Sequence, residues 1–110
     1  MPYDEATAER VRSVLKRTRG LTEKKMFGGI AFLIHGHMAC GVLDKTLVLR
    51  LGNEGAAVAL QEKHTRPMDF TGKPMKSMLY VEPAGFRTDE ALKSWVQRAV
   101  THARSLPPKD

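Results

Sequence analysis

Between Ile30 and Leu51 the chain reads IAFLIHGHMACGVLDKTLVLRL, three strand-length segments parted by His35-Gly36 and Asp44-Lys45. Two-residue connections leave no room for a crossover, so successive strands must return antiparallel. His35-Gly36 stands where Asn-Gly or Asp-Gly commonly closes a hairpin. Ile30–Ile34 is apolar throughout, as suits a central strand covered on both faces. Met38–Leu43 is the returning strand. Thr46–Leu51 alternates, with Leu47, Leu49 and Leu51 on one face and Val48 and Arg50 on the other. The first face is predicted to be core and the second less buried.

Helices frame this sheet. Asp4 is placed to cap a helix over about residues 4–18, with Ala8, Val11, Val14 and Leu15 as its apolar stripe. Gly20 ends it in a left-handed conformation. Lys24–Phe27 reads as a short strand. Gly52-Asn53 breaks the sheet, and Asn53 caps a short helix reaching about Gln61. The segment HTRPMDFTGKP, His64–Pro74, holds two prolines and a glycine. It reads as an ordered crossing loop with Met68 and Phe70 turned inward. Lys76–Glu82 is the last strand. Thr88 caps a closing helix in which Leu92, Trp95, Val96, Ala99, Val100 and Ala103 line one face. The predicted fold class is α+β. A mostly antiparallel sheet carries an N-terminal helix, a C-terminal helix and a short middle helix packed on it. The chain is read as a single domain over residues 1–110, with its ordered core at about 3–106.

The bulk properties exclude some classes. The 110 residues are 42% hydrophobic and 27% charged, as in soluble globular domains. Aromatics are only 6%, so the core must rest on Leu, Val, Ala and Met. No apolar stretch is long enough for a membrane helix, and the N-terminus lacks the apolar segment of a signal peptide. The single cysteine, Cys40, has no internal disulfide partner, which points to a reducing cytoplasm. A net charge of +6 raises the question of an anionic partner. Lys and Arg are nonetheless spread along the chain, with no basic run.

The stretch KMFGGIAFLIHGHMACG invites two chemical readings. A phosphate-binding glycine loop needs a helix N-terminus after it, but Gly28-Gly29 is followed by a strand. The pair is better read as a bend between strands. A metal site at His35, His37 and Cys40 lacks ligands: on a regular strand His37 and Cys40 point to opposite faces, and two turn histidines fall short of zinc's three or four. Neither a metal nor a cofactor is expected. Catalysis fares no better. Cys40 has no recognisable base at a fixed spacing, Ser13, Ser94 and Ser105 fall on helices, and Asp4, Glu5, Asp89 and Glu90 serve helix starts. No catalytic residue is assigned. The basic positions able to act together on an anion or nucleic acid are Lys24, Lys25, Arg66, Lys73 and Lys76.

Two strings carry a resemblance. MFGG, at Met26, Phe27, Gly28 and Gly29, and DFTGKPM, which includes Asp69, Phe70, Gly72, Pro74 and Met75, are similar to motifs of the TfoX/Sxy N-terminal domain family. With the closing helix around DEALKSWVQRAVTHARSLP, the resemblance runs from about Tyr3 to Pro108. His35 departs from it, since relatives usually carry Asp or Asn there. The resemblance implies an α+β fold and no established catalytic residue, cofactor or metal. Longer members regulate natural competence, working with a cyclic-AMP receptor protein at promoters, and carry a second, C-terminal domain. The length here leads us to expect a short, stand-alone bacterial member.

Three classes follow. The leading expectation is a non-enzymatic, cytoplasmic regulatory domain that contacts a protein, a transcription factor or a second copy of itself. A homodimer is expected through Val48 and Arg50 or through an edge strand. The alternative is direct, non-specific nucleic-acid binding through the five basic positions. The third is a small enzyme using Cys40 or a histidine.

Overall fold

The structure is a computed structural model that describes residues 3–26, 28–70 and 73–107, with the side chains of Met26, Asp69, Phe70, Lys73, Pro74 and Met75 outside that description. Its helices are α1 (Glu5–Leu15), α2 (Gly52–Ala59) and α3 (Asp89–Ser105). Its strands are β1 (Leu21–Met26), β2 (Gly29–Ile34), β3 (His37–Leu43), β4 (Thr46–Arg50), β5 (Thr65–Phe70) and β6 (Lys73–Val81). A 3-10 turn, Pro83–Phe86, leads into α3. The strands form one antiparallel sheet in the order β1-β2-β3-β4-β6-β5. The fold is therefore α+β. Among the described residues, no helix is long and apolar enough to cross a membrane.

The hairpin turns follow the local chemistry. His35 and Gly36 have φ of 51° and 86°, the left-handed pair that matches the twist of adjoining strands. Asp44 closes β3–β4 at φ 53°. Gly28 takes φ 79° between β1 and β2, and Gly29 follows where a Cβ would lie 2.2 Å from the Val42 carbonyl oxygen. One glycine supplies the bend and the next permits the close approach.

The helices cap as their first residues dictate. The Asp4 carboxylate accepts from the Thr7 amide at 3.0 Å and the Thr7 hydroxyl at 2.6 Å. These bonds, that to the hydroxyl foremost, hold the Asp4 carboxyl below its ordinary range. Thr88 accepts from the Ala91 amide at 3.1 Å and starts α3. Asn53 does not cap α2. The helix opens one residue earlier at Gly52, whose φ of 80° makes the turn out of β4, and Leu51 at the cap offers no side-chain acceptor.

All three helices lie on one face of the sheet. Ala8, Val11 and Leu15 of α1, Ala56 and Ala59 of α2, and Leu92, Trp95, Val96, Ala99 and Ala103 of α3 share a core with Ile30, Phe32, Ile34, Val42, Leu47, Leu49, Leu79 and Val81. Burying each large aliphatic side chain contributes about 1.5–3 kcal/mol, so this layer carries most of the stability. Polar ties fix its edges. Trp95 Nε1 donates to the Gly85 carbonyl at 3.1 Å, and Arg10 donates to the Phe86 carbonyl at 2.8 Å.

The structure corrects three further sequence readings. Residues 64–74 are not a crossing loop. Thr65–Phe70 is a strand, paired with β6 from Thr65↔Val81 to Phe70↔Lys73. Pro67 is tolerated because β5 is an edge, and the register shift beside it absorbs the missing donor. Val48 is not on a half-buried face: it is fully buried in a second cluster with Met68, Met78 and Tyr80. Finally, the β2–β3 register shifts between Phe32 and Leu33, inserting Ala39 as an extra residue on β3. That bulge breaks the alternation, so Ala39 and Cys40 face the helices and His37 also turns to that side.

Candidate interaction surface

Register assigns the remaining side chains to the sheet face without helices. One row across the strands runs Lys24, Ala31, Gly41, Val48, Tyr80, Arg66. A second contains Thr22, Leu33 and Met38, and a third pairs Arg50 with Met78. Val48, Met68, Met78 and Tyr80 close into the second cluster, with Met38 and Leu43 packed against it. The shift at Pro67/Met68 lets the β5–β6 hairpin bring Met68 over this face. Along β2 and β3 on this face Leu33, Met38 and Leu43 are half-buried, and Ala31 and Gly41 between them are buried.

The basic positions divide between the two faces. Lys24 is exposed on the open face, while its neighbour Lys25 pairs with Ile30 and belongs to the helix side. Arg66 lies on the open face at the far edge, its guanidinium 4.3 Å from the Tyr80 ring centroid and paired with Glu82. Lys76 is exposed, and it lies in the segment of β6 where the β5–β6 register slips, so strand alternation does not assign it a face. The Lys73 side chain lies outside the described residues. Lys24 and Arg66 thus share one face, and Arg50, which sequence reasoning had not grouped with them, joins by its register with Met78. The 2.0 residue period of β4 carried that signal, since Arg50 is two residues from Val48.

The family strings fall on the β1–β2 turn and the β5–β6 hairpin. Met26 ends β1, Gly28 turns and Gly29 opens β2. Asp69 pairs with Pro74 and Met68 with Met75 across the β5–β6 hairpin. Phe27 and Gly72 lie outside the described residues, as do the side chains of Asp69, Phe70, Pro74 and Met75.

The other chemical candidates sit apart. Cys40 is fully buried, and burial pushes its thiol up to about 12. His37 is buried and bonds through Nε2 to the Pro107 carbonyl oxygen, which accepts; the proton is therefore on Nε2, and Nδ1 has no partner among the described residues. His102 packs over the Gly52 backbone, and its pKa is lowered by desolvation first, then by Arg50 and His37. His35 packs over Gly20 at the outer end of the sheet. No group of three or more His, Cys, Asp or Glu gathers for a metal among the described residues. On the helix side, an open groove of about 660 Å³ between α2 and α3 is lined by Leu51, Gly55, Lys93, Ser94, Gln97 and Arg98. Glu90 and Thr101 also line it, and no hydrogen bond joins Ser94 to Glu90 among the described residues.

The edge strands are poorly suited to extending the sheet. β1 presents Thr22, Glu23, Lys24 and Lys25, all exposed, and β5 carries Pro67. Charge and proline at an edge both oppose strand addition. Val48, expected to be available to a partner, is covered by its own chain.

The model of the TfoX N-terminal domain family matches residues 13–103, which include both motif strings and every strand of the sheet. No curated protein and no solved structure gives a significant match.

Proposed function

The chain belongs to the TfoX N-terminal domain family, and from that premise we propose that it is a non-enzymatic regulatory domain that acts by contacting a protein. The observation that carries the reading is the asymmetry of the sheet. Three helices cover one face, while the other keeps half-buried Leu33, Met38 and Leu43 with Lys24, Arg50 and Arg66 on the same face. Such a face is suited to contact. The groups with reactive chemistry are placed poorly for turnover, Cys40 because its thiol is buried and held protonated. We place the domain in the cytoplasm, where a lone thiol stays reduced. The regulatory partners of the TfoX/Sxy family make a transcription factor the first candidate.

The test is affinity capture on the intact chain, with a panel of hydrolase and transferase assays run beside it. A saturable protein partner and no turnover are expected. Robust turnover with no retained protein would overturn the reading.

A second reading has its own support. Lys24, Arg50 and Arg66 on one face would give nucleic-acid binding that is salt-sensitive and indifferent to sequence. Binding of random duplex DNA, followed across a salt titration, tests it; loss of binding in Lys24→Glu/Arg66→Glu is the expected signature.

A further inference from the structure

A buried imidazole holds the end of the chain. After α3, Leu106 turns to extended backbone at φ −92° and ψ 147°, and the Pro107 carbonyl oxygen accepts from Nε2 of His37, the first residue of β3. We infer that this contact is a proton-operated strap: neutral His37 holds Leu106–Pro107 against the sheet, and uptake of a proton by the His37–His102 pair releases the segment while the rest of the fold stays closed. Both rings lie on the helix side, so the strap is independent of contact through the open face.

Hydrogen bonding comes first. A carbonyl can only accept, so the neutral ring carries its proton on Nε2. The residue is 8% exposed, and Nδ1 is buried with no hydrogen-bond partner among the described residues. In the neutral ring Nδ1 is a bare lone pair. In the imidazolium it is a bare N–H on a cation, and an unmet buried group costs more when it is charged. A charged His37 gains a second partner by turning toward water, and that movement abandons Pro107.

Little else ties the segment down. The Leu106 amide bonds back to the Ala103 carbonyl at 3.3 Å, within its own helix end. Pro107 has no amide to donate. Leu106 is half-buried and Pro107 is exposed. Losing the imidazole contact therefore frees the strap without opening a ladder of the sheet.

The surroundings oppose added positive charge. His102, in the last turn of α3, has its pKa lowered by desolvation first, then by Arg50 of β4 and by His37. The negative end of α3 favours a charged His102, but the net shift is downward. No carboxylate forms an ion pair with His37, His102 or Arg50 among the described residues, Glu54 in the first turn of α2 included. Nearby titratable groups face elsewhere. His35 of the β2–β3 turn lies on Gly20, Arg104 lines the α1 side of α3, and Cys40 on the same strand is held neutral by burial. A proton on either ring raises the field at the other, so the pair favours releasing the strap over holding both charges in place.

The experiment is an NMR titration of the 15N-labelled intact chain from about pH 7.5 to about 5.5, across the range where histidine changes charge. It follows the imidazole nitrogens of His37 and the order parameter of the Leu106 amide. At the upper pH, His37 should show the Nε2–H form and Leu106 should be as ordered as a rigid backbone, at about 0.85. As His37 gains its second proton, Leu106 should fall below about 0.6, with Val11 of α1 and Cys40 of β3 unchanged. His37→Gln, which can donate to Pro107 but takes up no proton, should keep Leu106 ordered at the lower pH. His102→Gln should still release the strap, but at a lower pH than the parent. Leu106 equally ordered at both ends of the titration, loose from the start, or loosened while His37 stays neutral overturns the strap. Release in His37→Gln equal to the parent's does the same, as does an unchanged midpoint in His102→Gln. Loss of order in α1 and β3 together with Leu106 overturns it in favour of global acid unfolding. The ring nitrogens are read in the parent, so the test decides even where His37→Gln fails to fold.

Discussion

The Arg66 guanidinium lies 4.3 Å from the centroid of the Tyr80 ring, and the same guanidinium pairs with Glu82. Both partners come from β6 or its end, so one exposed side chain clasps the edge strand to its neighbour. The ring below it is a wall of the second cluster, with Val48, Met68 and Met78. The lid and the cluster are expected to differ sharply in worth. Arg66→Ala removes a half-exposed cation–π contact and a surface ion pair and should cost about 0.5–1.5 kcal/mol. Met68→Ala opens a cavity in a closed cluster and should cost about 2–5 kcal/mol. Urea unfolding of both variants measures the difference; equal small losses would mean that the second cluster is not a core.

Adjacent glycines in the first family string are predicted to fail for different reasons. Gly29→Ala drives a Cβ to within 2.2 Å of the Val42 carbonyl oxygen. The β2–β3 ladder must shift, at a cost of about 1–3 kcal/mol. Gly28→Ala meets open space, with Leu43 Cδ1 at 3.9 Å, but must hold φ at 79°. That costs about 1–2 kcal/mol. Gly28→Asn should recover part of the loss, because Asn tolerates the left-handed region, and Gly29→Asn should recover none. Equilibrium unfolding of the four variants separates the mechanisms.

Cys40 should behave as an inert core group. Its thiol is fully buried, with its pKa pushed up to about 12 by desolvation. At pH 8 a disulfide reagent should label the native protein only at the rate of its unfolding, and label it at once in denaturant. Fast native labelling would reopen the enzyme reading.

His102 should make stability depend on pH. Desolvation, with help from Arg50 and His37, lowers its pKa in the folded state. The unfolded chain therefore takes up the proton first, near the ordinary value of about 6.5. Stability is expected to be flat above that value and to fall as pH drops through it, levelling below the folded-state pKa. His102→Gln should show a shallower loss than the parent between pH 7 and 5 by thermal denaturation. A steeper loss would give the shift the opposite sign.

Much of this architecture was legible in the residues. Two-residue turns at His35-Gly36 and Asp44-Lys45 forced the meander, and Asp4 and Thr88 capped helices because their side chains reach amides three residues on. The missed elements have a common cause. Pro67, Gly72 and Pro74 read locally as breakers, but an edge strand tolerates a proline that a central one does not. The burial of Val48 depends on Met68, Met78 and Tyr80 of β5–β6, a hairpin distant from it in sequence. The candidate surface was legible only in part. Lys24 and Arg66 are separated along the chain, and only the strand order and register give them one face and leave Lys25 on the other.

The central claim is contact through the open sheet face, and hydrogen–deuterium exchange of the chain alone and with its captured protein partner tests it most directly. The account predicts slower exchange in β1 and β3, Leu21–Met26 and His37–Leu43, with α1, α2 and α3 unchanged. Protection confined to the helices, with β1 and β3 exchanging as in the free chain, would contradict it.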